Sequence, residues 1–356
     1  MRLADRYRRT GADLPGGDPR PSHGAEMEGY FWRCTDVATG RVVVALCGVN
    51  RSPSGPWATV AVAAHPGGFV RSVEAPTARA DGDRYRVEVP GVLEADAEHL
   101  HVDLGPGARL DLRFAGPFRW PLRTAGGGVF SALPFLGQYW HPHVLDAAVT
   151  GEATVGGPDT WSLDGARLYA EKNWGRGFPE FWWWGQAQGF SQLDVTVAFT
   201  GGVLQLGPVA VVVGGIVVRL GERVIRLTPP LVRMAAEAGG GRWFARGRGH
   251  GVEVEVRGQG RPEDAHVLPV PVPAERRNVA SDWEHLAGRL DVVVRERGRL
   301  LFEGTSHLAG LEIGFRPGHP AITALGPAGV RIRSASMSPR RSSRVLTGER
   351  TGPKPG

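Results

Sequence analysis

Short apolar runs rich in Val, Ala and aromatic residues, each bounded by Gly, Pro or Asp, follow one another along most of this chain. Runs of that length and spacing predict the strands of antiparallel meanders. A first set covers residues 30–35, 41–49, 57–65, 69–74, 84–90, 99–104 and 109–114. A Gly-, Pro- and Phe-rich stretch at 115–135 reads as a crossover, after which strands resume at 144–155, 167–174, 181–190, 193–199, 210–220 and 223–227. A last set is expected at 242–246, 252–257, 289–296, 300–304 and 308–315. The Pro-rich segment 261–275 suits an extended loop better than a sheet centre, because each proline removes a ladder donor. Residues 280–286 are the one modest helix candidate, and residues 1–24 read as an extended segment.

Strand number and length fit an all-β chain folded as two β-barrels or strongly curved sheets packed together. The expected divisions are an N-terminal β domain at 25–140, a C-terminal β domain at 141–316 and a tail at 317–356. No βαβ unit and no Gly-rich phosphate fingerprint is present, which argues against nucleotide-dependent chemistry. No apolar stretch reaches the roughly 18 residues that a membrane-crossing helix needs.

Composition narrows the class further. Gly (52) and Pro (28) are too frequent for a helical protein, while 42% hydrophobic residues are enough for a real core. The net charge of +6 belongs to the end of the chain: residues 331–356 hold six Arg and one Lys against one Glu, leaving 35 bases and 35 acids elsewhere. Such a tail reads as a solvated, disordered extension, and nucleic acid is not an expected partner. Cys34 and Cys47 fall in the first two runs with no apolar leader before them, so they are expected as buried thiols in a reducing cytoplasm.

Rare residue types gather in one stretch, Leu168 to Phe190, reading LYAEKNWGRGFPEFWWWGQAQGF. It holds four of the eleven tryptophans, and Lys172, one of only two lysines, sits beside Asn173, one of three asparagines. A chain that writes almost every cation as Arg is expected to use this ammonium group where a forked guanidinium does not fit. Read as a strand, 168–174 puts Tyr169, Glu171 and Asn173 on one face. Gly175, Arg176, Gly177 and Pro179 supply turn chemistry, and the next run puts Trp182, Trp184, Gln186, Gln188 and Phe190 on one face. A hairpin of the two would bring a carboxyl group, three amides and several rings into the wall of a ligand cavity.

Glu171 and Lys172 point to opposite faces of such a strand, so they cannot pair with each other. A Glu171 carboxyl among tryptophans is a candidate general acid, since low dielectric raises its pKa; an ion pair at the rim with Arg167 or Arg176 is the plainer role. Trp182 and Trp184 are candidate cavity walls, whose ring faces would hold a desolvated cation with about 2 kcal/mol or more, while Trp183 packs between layers. His141 and His143 share a face, but no third ligand has a spacing that completes a metal site, so hydrogen bonding or a proton relay is preferred and no metal is expected. Glu28 just precedes a strand, where a carboxylate is ordinarily solvated.

The same stretch resembles the signature of the tocopherol cyclase family, in which E-K-x-W-G is followed by F-P and then W-x-W-x-Q. Glu28-Gly-Tyr-Phe-Trp and the run from Val42 to Val49 are similar to that family's opening. Gln138-Tyr-Trp-His, Gly151-Glu-Ala and Leu311-Glu are further matches, so the resemblance covers about residues 25–315. It implies two packed lipocalin-like barrels and an enzyme that closes a chromanol ring on a prenylated quinol without a cofactor. Such chemistry needs an acid for a trisubstituted double bond, an aromatic wall for the tertiary cation, and a base or hydrogen bond for the phenol oxygen. Glu171, the Trp182 and Trp184 rings, and His141 or His143 with Gln186 or Gln188 are the candidates for these roles. Tyr169, Asn173, Trp174 and Glu28 are expected as further substrate contacts. Hydration of an isoprenoid double bond uses the same acid with water as nucleophile, and a carrier of quinones or isoprenoids uses the same lining without chemistry. A prenylated quinol or other isoprenoid is the expected partner, with peripheral contact to a membrane. Ala187-Gln188 stands where plant-like members carry Cys-Asn or Ser-Asn, a difference that bears on the substrate.

Overall fold

The computed structural model describes residues 3–14, 16–120, 128–206, 209–228 and 233–316, and the tail expected at 317–356 lies outside them. After a short helix α1 (Leu3–Arg8), the first sheet takes β1 (Met27–Asp36), β2 (Arg41–Ser52), β3 (Gly55–His65), β4 (Phe69–Ala75), β5 (Arg79–Ala80) and β6 (Val87–Val89). It continues with β7 (Leu93–Ala95), β8 (His99–Asp103), β9 (Ala108–Arg119), β10 (Gln138–Val155), β11 (Thr160–Ser162) and β12 (Arg167–Gly175). The second sheet takes β13 (Phe181–Ala187), β14 (Val195–Leu206), β15 (Val209–Leu220), β16 (Arg223–Leu227) and β17 (Arg233–Gly239). Its remaining strands are β18 (Arg242–Gly249), β19 (Val252–Gln259), β20 (His266–Val272), β21 (Arg277–Glu296) and β22 (Arg299–Phe315). The all-β expectation holds: the architecture is a 12-stranded and a 10-stranded antiparallel sheet, one curled into a half-barrel. No helix among the described residues is long and apolar enough to cross a membrane.

Burial along each strand tells which faces are covered. In the middle of β9, exposed and buried positions alternate, as expected of a strand with one face in solvent. In β1, β12 and β13 almost every residue is buried, because both faces are covered. Tyr30, Trp32 and Cys34 of β1, with Leu168 and Ala170 of β12, enter the core of the first sheet. Phe181, Trp183 and Ala187 of β13 enter the core of the second, so Trp183 packs as its spacing predicts. The opposite faces of these strands meet at a seam between the sheets, where Phe31, Tyr169 and Trp184 pack together.

Several expectations differ from the structure. The stretch 168–190 is not a hairpin: β12 is paired on both edges by β1 and β10, and β13 by β14 and β22. Residues 176–180 therefore cross from one sheet to the other, and the boundary expected at 140 falls inside β10, well within the first sheet. Residues 280–286 are strand, not helix, because β20 and β22 occupy both edges of β21 there. Within the N-terminal segment read as extended, residues 3–8 are helical. The Pro-rich segment does form a strand, β20, but one paired, among the described residues, only to β21, where Pro269 and Pro271 remove no central ladder bond. Cys34 and Cys47 are buried and unbridged, and burial pushes both thiols up to about 12.

Candidate active site

The parity of β12 divides the signature between two environments. Glu171 and Asn173 face the seam and line a cavity of about 440 Å³, together with Phe31, Trp140, Trp182 and Trp184. Lys172 and Trp174 face the other way.

The Lys172 side is a closed polar network. The Lys172 ammonium, fully buried, lies 2.9 Å from a Glu28 oxygen, donates to the Pro21 carbonyl at 2.6 Å, and meets His23 Nδ1 at 3.0 Å. It also lies 5.0 Å from the Trp174 ring centroid and 5.5 Å from that of Tyr30. Three acceptors around one nitrogen suit an ammonium and not a planar fork, which explains Lys in an Arg-rich chain. His23 accepts from Lys172, so its Nε2 is left to donate to Asp13, 2.8 Å away. Glu28 also accepts from Ser22 Oγ and from the backbone amides of His23 and Gly24. Burial pushes Glu28 up, but the Lys172 charge and these donors outweigh it and hold the carboxyl below its ordinary range. Glu28 and Trp174, expected as substrate contacts, are instead the anchor of the N-terminal segment: Trp174 stacks on His23 and donates to the Gly11 carbonyl.

His141 and His143 also lie away from the cavity. His141 is opposite Lys172 on the neighbouring strand and packs near Trp120, while His143 packs 4.6 Å from the Tyr85 ring. Burial pushes His141 down to about 3 and His143 well below its ordinary value, so neither is a charged imidazolium acid at neutral pH. Gln186 accepts from Arg33 at 3.2 Å, and Gln188 donates to the Leu145 and Leu168 carbonyls and to Asp146. Both amides tie the seam together and do not line the cavity. Asp146 itself is held by Arg167 and Arg219. Glu171 therefore has no rim partner in Arg167.

Glu171 is held in place by two donors. Tyr169 donates its hydroxyl to Glu171 Oε2 at 2.5 Å, and Trp184 Nε1 donates to the same oxygen at 2.9 Å. Burial raises the carboxyl to about 7, with the Tyr169 and Trp184 donors pulling partly the other way. With Oε2 taking both hydrogen bonds, the other oxygen carries the proton in the protonated form, which is well populated near neutral pH. Trp182 lies over Gly314, the residue opposite it on β22: a Cβ there would sit 1.9 Å from Trp182 Cζ2. Glycine at that position makes room for the indole in the cavity wall.

Three more carboxyl groups line the same cavity from the second sheet: Asp282, Glu284 and Glu312. Burial comes first in raising all three, to about 7 for Glu312, and like charges nearby add to it. Among the described residues none of the four carboxyls has an ion-pair partner, and no group of three or more His, Cys, Asp or Glu is arranged to hold a metal ion. Sequence reasoning missed these three. Glu312 lay within the Leu311-Glu match, and Asp282 and Glu284 flank Trp283 at strand spacing, a signal hidden by the helix reading. The arrangement is a set of carboxyls whose proton affinity burial raises, in an aromatic cavity where they can exchange protons with little water present.

The tocopherol cyclase-like family matches residues 114–315. A probable chloroplastic tocopherol cyclase of Oryza sativa subsp. japonica is 35% identical over 82 residues, 22% of this chain and 17% of that protein. The chloroplastic tocopherol cyclase of Zea mays is 33% identical over 88 residues, 24% of this chain and 18% of that protein. The matched segment thus spans under a fifth of either relative's length. A crystal structure of CghA with Sch210972 shares the fold with a TM-score of 0.53 at 13% identity, over 82% of this chain and 89% of that one.

Proposed function

This chain belongs to the tocopherol cyclase-like family, and on that premise we propose that it closes a chromanol ring on a prenylated quinol by acid catalysis. The observation that carries the reading is the Glu171 carboxyl, buried, raised to about 7, and presented to an aromatic cavity by Tyr169 and Trp184. Glu171 donates its proton to the double bond nearest the ring. The tertiary cation forms between the Trp182, Trp184 and Phe31 rings, whose electron-rich faces offset its charge. The phenol oxygen attacks that carbon, a C–O bond forms, and the phenolic proton leaves, so substrate and product are isomers. The volume of about 440 Å³ suits a quinol head and the first part of its chain.

The test is incubation of the purified protein with a phytylated quinol under reducing conditions, followed by chromatography with mass detection. A product of unchanged mass and altered retention supports ring closure. Gain of one water identifies a hydratase, and binding with no product identifies a carrier.

A further inference from the structure

The ring closure proposed above needs a proton acceptor as well as a donor, and, resting on that reading, we infer that Glu284 paired with Glu312 is the acceptor, with Asp282 beside it. The two residues stand directly opposite each other on β21 and β22, and Trp184 is opposite Glu312 on its other side. They line the cavity from the second sheet, whereas Glu171 lines it from the first. Trp182 Nε1 donates to Glu312 Oε1. Among the described residues, neither oxygen of Glu284, nor Oδ1 of Asp282, has a hydrogen-bond partner. A buried carboxyl without a donor is costly, so these oxygens fit a group that a ligand completes.

The charge of this cluster is set by one cation. Arg33 is fully buried and makes no ion pair within 4 Å among the described residues. Its guanidinium donates to Thr35, to Gln186, and to the Leu286 and Leu308 carbonyls. Leu286 is two residues beyond Glu284 on β21, and Glu284 is the carboxyl whose charge bears on Arg33. A buried Arg needs a counter-charge, and among the three crowded carboxyls, all raised by burial, Glu284 is one that the Arg33 charge pulls back down. Arg33 behind Glu284 opposes the effect of burial there, so a charge on this cluster is best placed at Glu284, which makes the second sheet the accepting wall when Glu171 holds its proton.

The step balances. Glu171 gives a proton to the alkene carbon, the phenol oxygen forms the C–O bond, and the O–H pair of electrons stays on oxygen as its proton passes to Glu284 or Glu312. Solvent then takes that proton and returns one to Glu171 when product leaves.

The experiment uses full-length protein with a phytylated quinol in D2O, comparing the parent with Glu284→Gln and, as a second variant, Glu312→Gln. Both keep the size of the side chain they replace. The expected result is a fall in chromanol formation of ~10²-fold in either variant, while deuterium still enters the recovered prenyl chain, because Glu171 continues to protonate the double bond and to take a proton back from a neighbouring carbon. Ring closure at the parental rate in both variants would overturn the acceptor assignment and leave the cyclase reading standing. Loss of deuterium entry together with ring closure would also overturn it, since the pair would then belong to proton donation or to the architecture. A parent that neither labels nor closes any prenylated quinol sinks the cyclase reading itself, and the acceptor with it.

Discussion

Glu171→Gln separates acid chemistry from binding, and the structure gives its size. The carboxyl moves from an ordinary 4.5 to about 7 on folding. At about 1.4 kcal/mol per unit, the folded state loses roughly 3 kcal/mol as Glu171 ionises. A carboxyl raised on folding contributes fully below its unfolded value and loses that contribution as pH rises through the folded value. The stabilising share is therefore present near pH 4 and gone above about pH 8. Gln keeps the shape, its carbonyl accepts from Tyr169 and Trp184 as Oε2 does, and it has no charge to bury. The stability of Glu171→Gln relative to the parent should then rise by about 3 kcal/mol between pH 4 and pH 9. Urea unfolding of both proteins at several pH values measures it, and taking the difference removes the titration of groups that the Glu171 charge does not reach, while the share it adds at Glu284 and Glu312 stays in the difference. Ring closure by the variant should be lower by ~10²-fold or more at every pH, and parental activity should fall as pH rises through 7. Quinol binding, followed by tryptophan quenching, should persist. A pH-independent stability difference, or turnover at the parental rate, would refute the placement of a protonated acid at Glu171.

Lys172→Met leaves the Glu28 carboxylate buried without its cation and should cost about 3–5 kcal/mol in urea unfolding at pH 7, with part of it restored by adding Glu28→Gln; a loss within error would mean the network is hydrated. Gly314→Ala places a methyl 1.9 Å from Trp182 Cζ2, so the indole must leave its seat: a loss of about 1–3 kcal/mol is expected with weakened quinol quenching, and unaltered quenching counts against Trp182 as a cavity wall. Leu3, Leu14, Leu133 and Phe135 are exposed on α1, the segment after it and residues 128–136, which hydrogen-bond to one another beside Phe130 and Leu136 of the cavity wall. With Arg6 and Arg9 close by in the chain and Arg176 over the Phe135 ring, this surface should bind vesicles containing anionic lipid. Leu133→Glu with Phe135→Glu should abolish co-sedimentation, and equal binding by that variant would exclude the patch.

Period-two spacing made the face of every residue in β12 and β13 legible, because side-chain direction in a strand is a local property. Glu171, Asn173, Trp182 and Trp184 follow from it directly, and so does the separation of Glu171 from Lys172. Pairing is not local. Gly175 to Pro179 has turn chemistry whether the next strand folds back or leaves for another sheet, and here both edges of β12 are already taken by β1 and β10. The same limit hid the second half of the site. A strand whose polar residues face another sheet loses the apolar and polar alternation that marks a solvated strand, so Asp282, Trp283 and Glu284 read as a helix fragment. Arg33 and Glu284 likewise lie far apart in the chain and act on each other only because β1 and β21 face across the seam. His141 and His143 fail for the converse reason: their spacing was right for a shared face, and the face is the wrong one, opposite Lys172. Where two sheets pack against each other, an acidic residue on the face turned to the seam must be either ion-paired, as Asp146 is, or have its proton affinity raised by burial, as Glu171 and Glu312 do. That choice is decided by which strands meet, and it is what turns a structural carboxyl into an acid available to a substrate.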